Sequence, residues 1–451
     1  MSTVTQQKVQ PMKRKRGVLL SARGWQRLQA AEQRSSEAGS GSKSYTLQEL
    51  SDLTGLSANT LARVRGRKIA VDQHTLDTYF QAFDLTLAVD DYSDADSLSN
   101  LTRSQVPPSG QLALDSKYYI QRPPIESLCI DGIFQPGGLV RIKAPRMSGK
   151  TSLVARTLLK AREQQKYSTV ILSLRLADSE TFSNLNRFLK WFCAVISQSL
   201  GLANEVEQYW DDLFGASYNC THFFESYLLK NLKTPLVLAL DEVDTVFDYP
   251  ELATDFFGML RAWYEKARYG DASSELWQKL RLIMVHSTEV YVPLNIAQSP
   301  FNAGLLVEPP CFNLDQAIEL AKAYGLSDPA SCGKQLMQLV GGRPHLLHLG
   351  MYHLHVSDKG VKDLTKNALS GSSIFSSHLR NHLWELQKHP ELLAALKVVV
   401  SSNDPVELAP LVSYKLQSRG LVMMNHHRAS VSCDLYQVYF QQTLSNLEEE
   451  I

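Results

Sequence analysis

The sequence has no Cys-x-x-Cys pair: its six cysteines, Cys129, Cys193, Cys220, Cys311, Cys332 and Cys433, are scattered along 451 residues. This excludes a disulfide framework and a cysteine-built zinc cluster, and fits buried thiols in a reducing compartment. Net charge is absent as well, with 46 basic residues against 46 acidic ones. No global field therefore draws the chain to nucleic acid or to an anionic membrane, and any such attraction has to come from local patches. The longest apolar runs are strand-length, and no apolar stretch follows the early basic residues. Neither a signal peptide nor a membrane span is expected, and the protein reads as cytoplasmic. No internal repeat is found.

What is present is ordinary for a globular protein, 44% hydrophobic and 20% charged. The length exceeds what one core fills and suggests about three domains. Residues 1–44 read as a basic arm, with Lys13-Arg14-Lys15-Arg16, and a leading helical pattern over Val18-Leu19-Leu20 and Trp25–Leu28. A Ser/Gly-rich break follows, then a compact helical module over 45–92. Residues 93–117, acidic and carrying Pro107-Pro108, read as a linker. From 118 to 312 apolar runs alternate with amphipathic stretches, the α/β signature. The runs are Gly138–Lys143, Thr169–Leu174, Pro235–Leu240, Arg281–Val285 and Leu305–Val307. Residues 313–370 turn helical, and 371–451 read as helices with a short hairpin.

The run Leu139–Lys143 is followed by Ala144-Pro145-Arg146-Met147-Ser148-Gly149-Lys150-Thr151-Ser152 and then by a helical pattern. This is the strand–loop–helix setting in which G-x-x-x-x-G-K-[ST] cradles phosphates with backbone N–H groups and a helix amino terminus. In that plan Lys150 meets the β- and γ-phosphates and Thr151 offers a hydroxyl to Mg²⁺. Ala144 stands where the pattern has glycine. The second apolar run, Pro235–Leu240, is continuous, as a fully buried parallel strand requires, and ends in Asp241-Glu242. Buried carboxylates there are costly unless they coordinate or polarise something. Asp241 is expected to hold Mg²⁺ and Glu242 to act as general base on the attacking water, while Asp244 reads as a helix cap or a solvated side chain. Ser287 and Thr288, with His286 as an alternative, end the strand expected between the two motif strands. They are candidates to reach the γ-phosphate, with an ordinary strand-end turn as the other reading.

From Tyr118 onward the chain resembles the bacterial AAA-like domain proteins, relatives of the signal-transduction (STAND) and origin-recognition-type ATPases. The resemblance is carried by Tyr118-Tyr119-Ile120 with Arg122-Pro123, by Arg146–Leu153, and by Leu240-Asp241-Glu242-Val243-Asp244. It continues in Phe256-Phe257 with Leu260–Tyr264, in Ser299–Gly304, and in Gly341-Gly342-Arg343-Pro344-His345-Leu346. It ends in Leu416–Leu421 and Leu435–Phe440. It implies an α/β P-loop NTPase fold with a five-stranded parallel sheet of order 5-1-4-3-2, a helical lid and a carboxyl-terminal winged helix. It also implies that Gly342, Arg343 and Pro344 contact the nucleotide from the lid. No arginine occurs between Leu282 and Gly342, where ring-forming relatives carry an arginine finger, and Arg261 and Arg268 are weak substitutes. Slow hydrolysis and a switch are expected rather than a motor.

The stretch Thr46–Val64 reads as helix, turn at Gly55, helix, with Ser51 at the crossing, Ser57 as cap, and Leu50, Leu56, Leu61 and Val64 as core. It resembles a repressor-type helix-turn-helix. Duplex DNA would then meet Ser57, Ala58, Asn59, Thr60 and Arg63 in the major groove. Arg65, Arg67, Lys68 and the Lys13–Arg16 arm would meet phosphates. Contact with a protein partner is the alternative use. The histidines His345, His348, His353 and His355 read as ordinary helix residues rather than metal ligands.

The expected function is an ATP-dependent regulatory switch using Mg²⁺ and cycling between ATP and ADP, with an ATP-dependent homo-oligomer among its possible assemblies. A non-enzymatic, nucleotide-stabilised adaptor is the alternative. A third reading, an ATPase regulator of DNA transposition, has no specific support in the sequence.

Overall fold

The computed structural model describes residues 18–38, 45–66, 71–88, 91–94, 110–288, 300–357, 360–368, 370 and 373–449. The Lys13–Arg16 arm, Arg67, Lys68 and residues 95–109 of the expected linker lie outside them. The chain divides into two compact units, Met1–Pro107 and Pro108–Ile451.

The first unit runs β1 (Val18–Leu20), α1 (Ala22–Ala38), α2 (Leu47–Thr54), α3 (Ala58–Gly66), α4 (Gln73–Gln81) and β2 (Tyr92–Asp94). Val18–Leu20 was expected to be helical and is a strand instead, antiparallel to β2 with Leu19 opposite Ser93. Val18 also exchanges backbone hydrogen bonds with Val71, at 2.7 and 2.9 Å. Three residues are too few for periodicity to separate strand from helix, so the pairing decides. The unit is therefore not all-α. Leu28 and Ala31 of α1 pack in the same core as Leu50, Leu61, Val64, Leu76, Tyr79 and Phe80. Thr46 and Glu49 form a reciprocal capping box at the start of α2. Gly55, at φ 70°, turns the chain into α3 and donates its N–H to the Ser51 carbonyl.

The second unit is built on five parallel strands: β3 (Leu139–Ala144), β4 (Ser168–Ser173), β5 (Leu236–Asp241), β6 (Leu280–Ser287) and β7 (Leu305–Val307). They lie in the order β4-β5-β6-β3-β7. Numbered along the chain within this sheet, that is 2-3-4-1-5, or 5-1-4-3-2 from the opposite edge. Every residue of β5 and β6 is buried. Their side chains alternate between two apolar layers. Val237, Ala239, Ile283 and Val285 meet α5 (Ile125–Phe134) and α6 (Lys150–Gln165) on one face. Leu236, Leu238, Leu240 and Met284 meet α7 (Leu185–Ser199) and α8 (Pro250–Lys266) on the other, through Phe188, Phe192, Phe256 and Trp263. A sheet covered on both faces forces its strands to be continuously apolar.

Beyond β7 come α9 (Leu314–Ala323), α10 (Pro329–Val340) and α11 (Pro344–Val356). Then follow α12 (Ser376–Gln387), α13 (Pro390–Ser401), β8 (Val406–Glu407), α14 (Pro410–Ser418), β9 (Val422–Asn425), β10 (Arg428–Val431) and α15 (Asp434–Glu449). β8, β10 and β9 make a small antiparallel sheet. Leu336, Leu346, Leu392, Leu416, Tyr436 and Phe440 share one core across this whole stretch.

Candidate functional site

Open parallel sheets place their ligand sites at the carboxyl ends of the strands. There β3, β5 and β6 end around a cleft of about 430 Å³, within the range of small-molecule sites. β3 runs into the loop Pro145–Gly149, which has left-handed backbone at Met147 (φ 60°) and Gly149 (φ 88°). Such turns direct successive N–H groups into a concavity that suits an anion. α6 opens at Lys150 with no side-chain capping bond, so its amino terminus adds to the same field. Ala144 fits in place of glycine because it belongs to the strand, paired opposite Ser287, and lies outside the left-handed region.

Lys150 Nζ donates to the carbonyls of Ala144 and Pro145, at 2.9 Å each, folded along the loop. Thr151 donates its hydroxyl to Asp241 Oδ2 at 2.9 Å. Asp241 is 6% exposed. Burial pushes its carboxyl pKa above the usual range, opposed by the Thr151 hydroxyl and the Glu242 N–H. Hydroxyl and carboxylate are hard oxygen donors of the kind Mg²⁺ takes, and a desolvated carboxylate gains from a cation. Ser148 Oγ, in the loop, is buried without a hydrogen-bond partner. The donor set therefore fits a magnesium-bound phosphate. Glu242 sits in left-handed backbone (φ 58°), and both its oxygens are engaged. Ser173 donates to Oε2 at 2.6 Å, and Arg175 pairs with Oε1 at 3.0 Å.

Of the strand-end candidates, Ser287 lines the cleft, with its N–H donated to Asp244 Oδ1 at 2.9 Å. Asp244, expected as a cap or solvated, thus ties β5 to β6. Thr288 is turned away, donating its hydroxyl to the Ser418 carbonyl at 2.5 Å. His286 packs edge-on against Phe301, and burial lowers its pKa to about 4. The residues expected from a lid divide in the same way. Pro344 lines the cleft, joined by His345 and His348. Gly342 serves the backbone, its carbonyl accepting Phe312 N–H at 2.8 Å. Arg343, expected at the nucleotide, is instead committed to the Gly420 carbonyl and lies over the Tyr436 ring. Neither Arg261 nor Arg268 lines the cleft: Arg261 pairs with Glu265, and Arg268 caps the Gly137 carbonyl at the far end of β3.

Several residues with no expected site role also line the cleft. Arg122 is 3% exposed and donates to the carbonyls of Ser148 and Pro310, bracing the loop that carries Ser148. Tyr118, Ile120 and Phe312 give the cleft an apolar wall. Leu112 N–H bonds Ser152 Oγ at 3.0 Å, bringing residues 110–112 to the rim. Arg175 had no motif around it to mark it.

In the first unit, Ser57 caps α3 by accepting Thr60 N–H, and Asn59 and Arg63 are exposed. Arg65 departs from its expected role at DNA phosphates. Its guanidinium pairs with Glu32 at 2.7 Å and lies over the Trp25 ring, while Tyr79 donates its hydroxyl to the other Glu32 oxygen at 2.6 Å. Among the described residues, no group of three or more His, Cys, Asp or Glu could hold a metal ion, and no helix is long and apolar enough to cross a membrane.

A five-stranded P-loop sheet with a Lys-Thr loop and a strand-end Asp-Glu pair defines a P-loop NTPase of the AAA-like class. The chain belongs to the AAA-like domain family, whose sequence model matches residues 107–442. No curated protein matches it. Among solved structures it is similar to a Walker-type ATPase of Pyrococcus abyssi, at 13% identity and a TM-score of 0.50, covering 72% of this chain and 96% of that one. It is also similar to Cdc6p from Pyrobaculum aerophilum, at 14% identity and TM-score 0.36, covering 76% and 99%. A third is the Aeropyrum pernix Orc1 protein in complex with DNA, at 12% identity and TM-score 0.35, covering 74% and 96%. These likenesses concern the fold.

Proposed function

We propose that the chain is a slow ATPase that serves as a nucleotide-dependent regulatory switch. The observation that carries this reading is the 2.9 Å bond between Thr151 and Asp241, which joins the phosphate loop to the strand-end carboxylate inside the cleft. Lys150 and the loop N–H groups would hold the β- and γ-phosphates, and Thr151 and Asp241 would hold Mg²⁺. The metal supplies charge neutralisation on the phosphates. Glu242 would accept the proton of the attacking water, and Ser287 would face the γ-phosphate from β6. Arg343 would act at a distance, tying α11 to the β9–β10 region so that the lid and the carboxyl-terminal part, acting as a winged helix, move together. Through Asn59 and Arg63 the first unit would target duplex DNA or a protein partner.

A second reading, the non-enzymatic adaptor, draws support from the engagement of both Glu242 oxygens by Ser173 and Arg175. Calorimetric titration of the full chain with Mg²⁺-ATP tests the first step common to both. Wild type should bind, and Lys150→Ala should lose binding with its thermal unfolding unchanged. Equal affinity of the two proteins would refute the assignment of the cleft.

A further inference from the structure

The cleft lacks an arginine from the segment where trans-acting fingers are found, since none occurs between Leu282 and Gly342. A transferring phosphoryl group nonetheless gains greatly from a guanidinium that matches its spread of negative charge. The cations lining the cleft are Arg122, Arg146, Lys150 and Arg175. Arg122 is buried and holds the carbonyls of Ser148 and Pro310. Arg146 stands on the entry side of the loop, where its charge acts on Glu385 of α12. Lys150 belongs to the phosphate loop itself. Arg175 alone comes from the opposite wall, just beyond β4, and it contacts Glu242.

We propose that Arg175 recognises the γ-phosphate in cis, moving to it from Glu242 when ATP enters the cleft. The sheet register brings this about. Ser173 is paired opposite Asp241, so the chain leaving β4 passes beside Glu242. The general base must adjoin the attacking water, and that water adjoins the γ-phosphate. A side chain in contact with Glu242 is therefore within reach of the terminal phosphate and far from the α-phosphate. The present pair is weakly held: the Arg175 side chain is 63% exposed and Glu242 32%. Solvent screens such a pair, and a phosphate of higher charge, offering two oxygens to the guanidinium fork, outcompetes one carboxylate oxygen. The transfer also releases Glu242 Oε1 to face water while Ser173 retains Oε2, so one movement reports ATP and frees the base.

The inference rests on ATP binding in this cleft, and the experiment separates the two. Full-length wild type, Arg175→Ala and Arg175→Lys would be titrated with Mg²⁺-ATPγS and with Mg²⁺-ADP, alongside phosphate release from ATP. Arg175→Ala should weaken ATPγS by about tenfold or more, leave ADP within about twofold, and slow turnover at least tenfold. Arg175→Lys should fall between, because it keeps the charge and loses the fork. Unchanged ATPγS affinity with equal or faster turnover would mean that Arg175 only restrains Glu242, and would overturn the proposal. Equal weakening of both nucleotides would overturn it as well. A wild type that binds neither nucleotide removes the nucleotide reading itself, and this inference with it. Matching thermal unfolding of the three proteins shows that the variants are folded.

Discussion

Thr151 and Asp241, separated by 90 positions in sequence, meet at 2.9 Å because β3 and β5 flank β6 in one parallel sheet and end at the same edge. The hydroxyl is delivered by the first turn of α6 and the carboxylate by the last residue of a fully buried strand. Neither side chain gains much from the other alone, since a buried carboxylate held by one hydroxyl and one N–H keeps a raised pKa. The arrangement makes sense as a seat for a cation shared with phosphate.

Asp241→Asn should therefore uncouple nucleotide binding from magnesium. In wild type, adding Mg²⁺ should tighten ATP; in the variant that gain should shrink by about 10–100-fold. ATP affinity in EDTA should be little changed. Titrations with and without Mg²⁺ check this, and an undiminished magnesium effect would remove Asp241 from the cation's surroundings.

The two arginines of α3 should behave differently. Arg65 and Tyr79 both satisfy Glu32, so Arg65→Ala leaves a buried carboxylate short of its ionic partner. The cost should be roughly 1–3 kcal/mol in the first unit, read as a lowered unfolding midpoint of the full chain. Arg63 is exposed, and Arg63→Ala should leave that midpoint unchanged. If the unit binds duplex DNA, Arg63→Ala should weaken it across all sequences and flatten the log–log salt slope by about one. Asn59→Ala should shift sequence preference instead. Absence of DNA binding by the full chain at low salt would leave the protein-partner reading.

How legible was this in the sequence? The strand–loop–helix around Lys150 and the apolar run ending in Asp241-Glu242 could be read directly, because a two-sided parallel sheet writes its burial into unbroken apolar runs. Contacts that depend on distant register could not. Arg343 shows its charge in the sequence, while its partner, Gly420, lies 77 residues on. The basic run of α3 likewise hides that Arg65 points inward to Glu32, 33 positions away. Ser173 and Arg175 acquire meaning only when β4 pairs with β5. Val18–Leu20 became a strand through Tyr92–Asp94, a partner no local pattern reveals.

The histidines of the helical region beyond β7 should make stability pH-dependent. His348 is 6% exposed and hydrogen-bonded at Nδ1 with the Tyr324 hydroxyl. Burial, with His345 nearby, lowers its pKa to about 4, and burial lowers His382 to about 4 also. A histidine whose folded pKa lies below its ordinary 6.5 contributes stability that is present above pH 6.5 and lost as pH falls towards 4. Each such group adds up to about 1.4 kcal/mol per pH unit inside that window. Thermal unfolding should be nearly level from pH 7 to 8 and drop steeply below 6.5. His348→Gln should lessen the drop. A midpoint that stays level from pH 7.5 to 5 would contradict these neutral imidazoles.

If Glu242 acts as base on a water attacking ATP held by Lys150, phosphate release by the full chain under saturating Mg²⁺-ATP should depend on its carboxylate. Wild type should turn over slowly, well below the roughly 10 s⁻¹ typical of enzymes. Glu242→Gln should bind ATP with similar affinity and lose at least about 100-fold in turnover, since the amide keeps the shape and cannot take the proton. A Glu242→Gln protein that hydrolyses ATP at the wild-type rate would contradict the account.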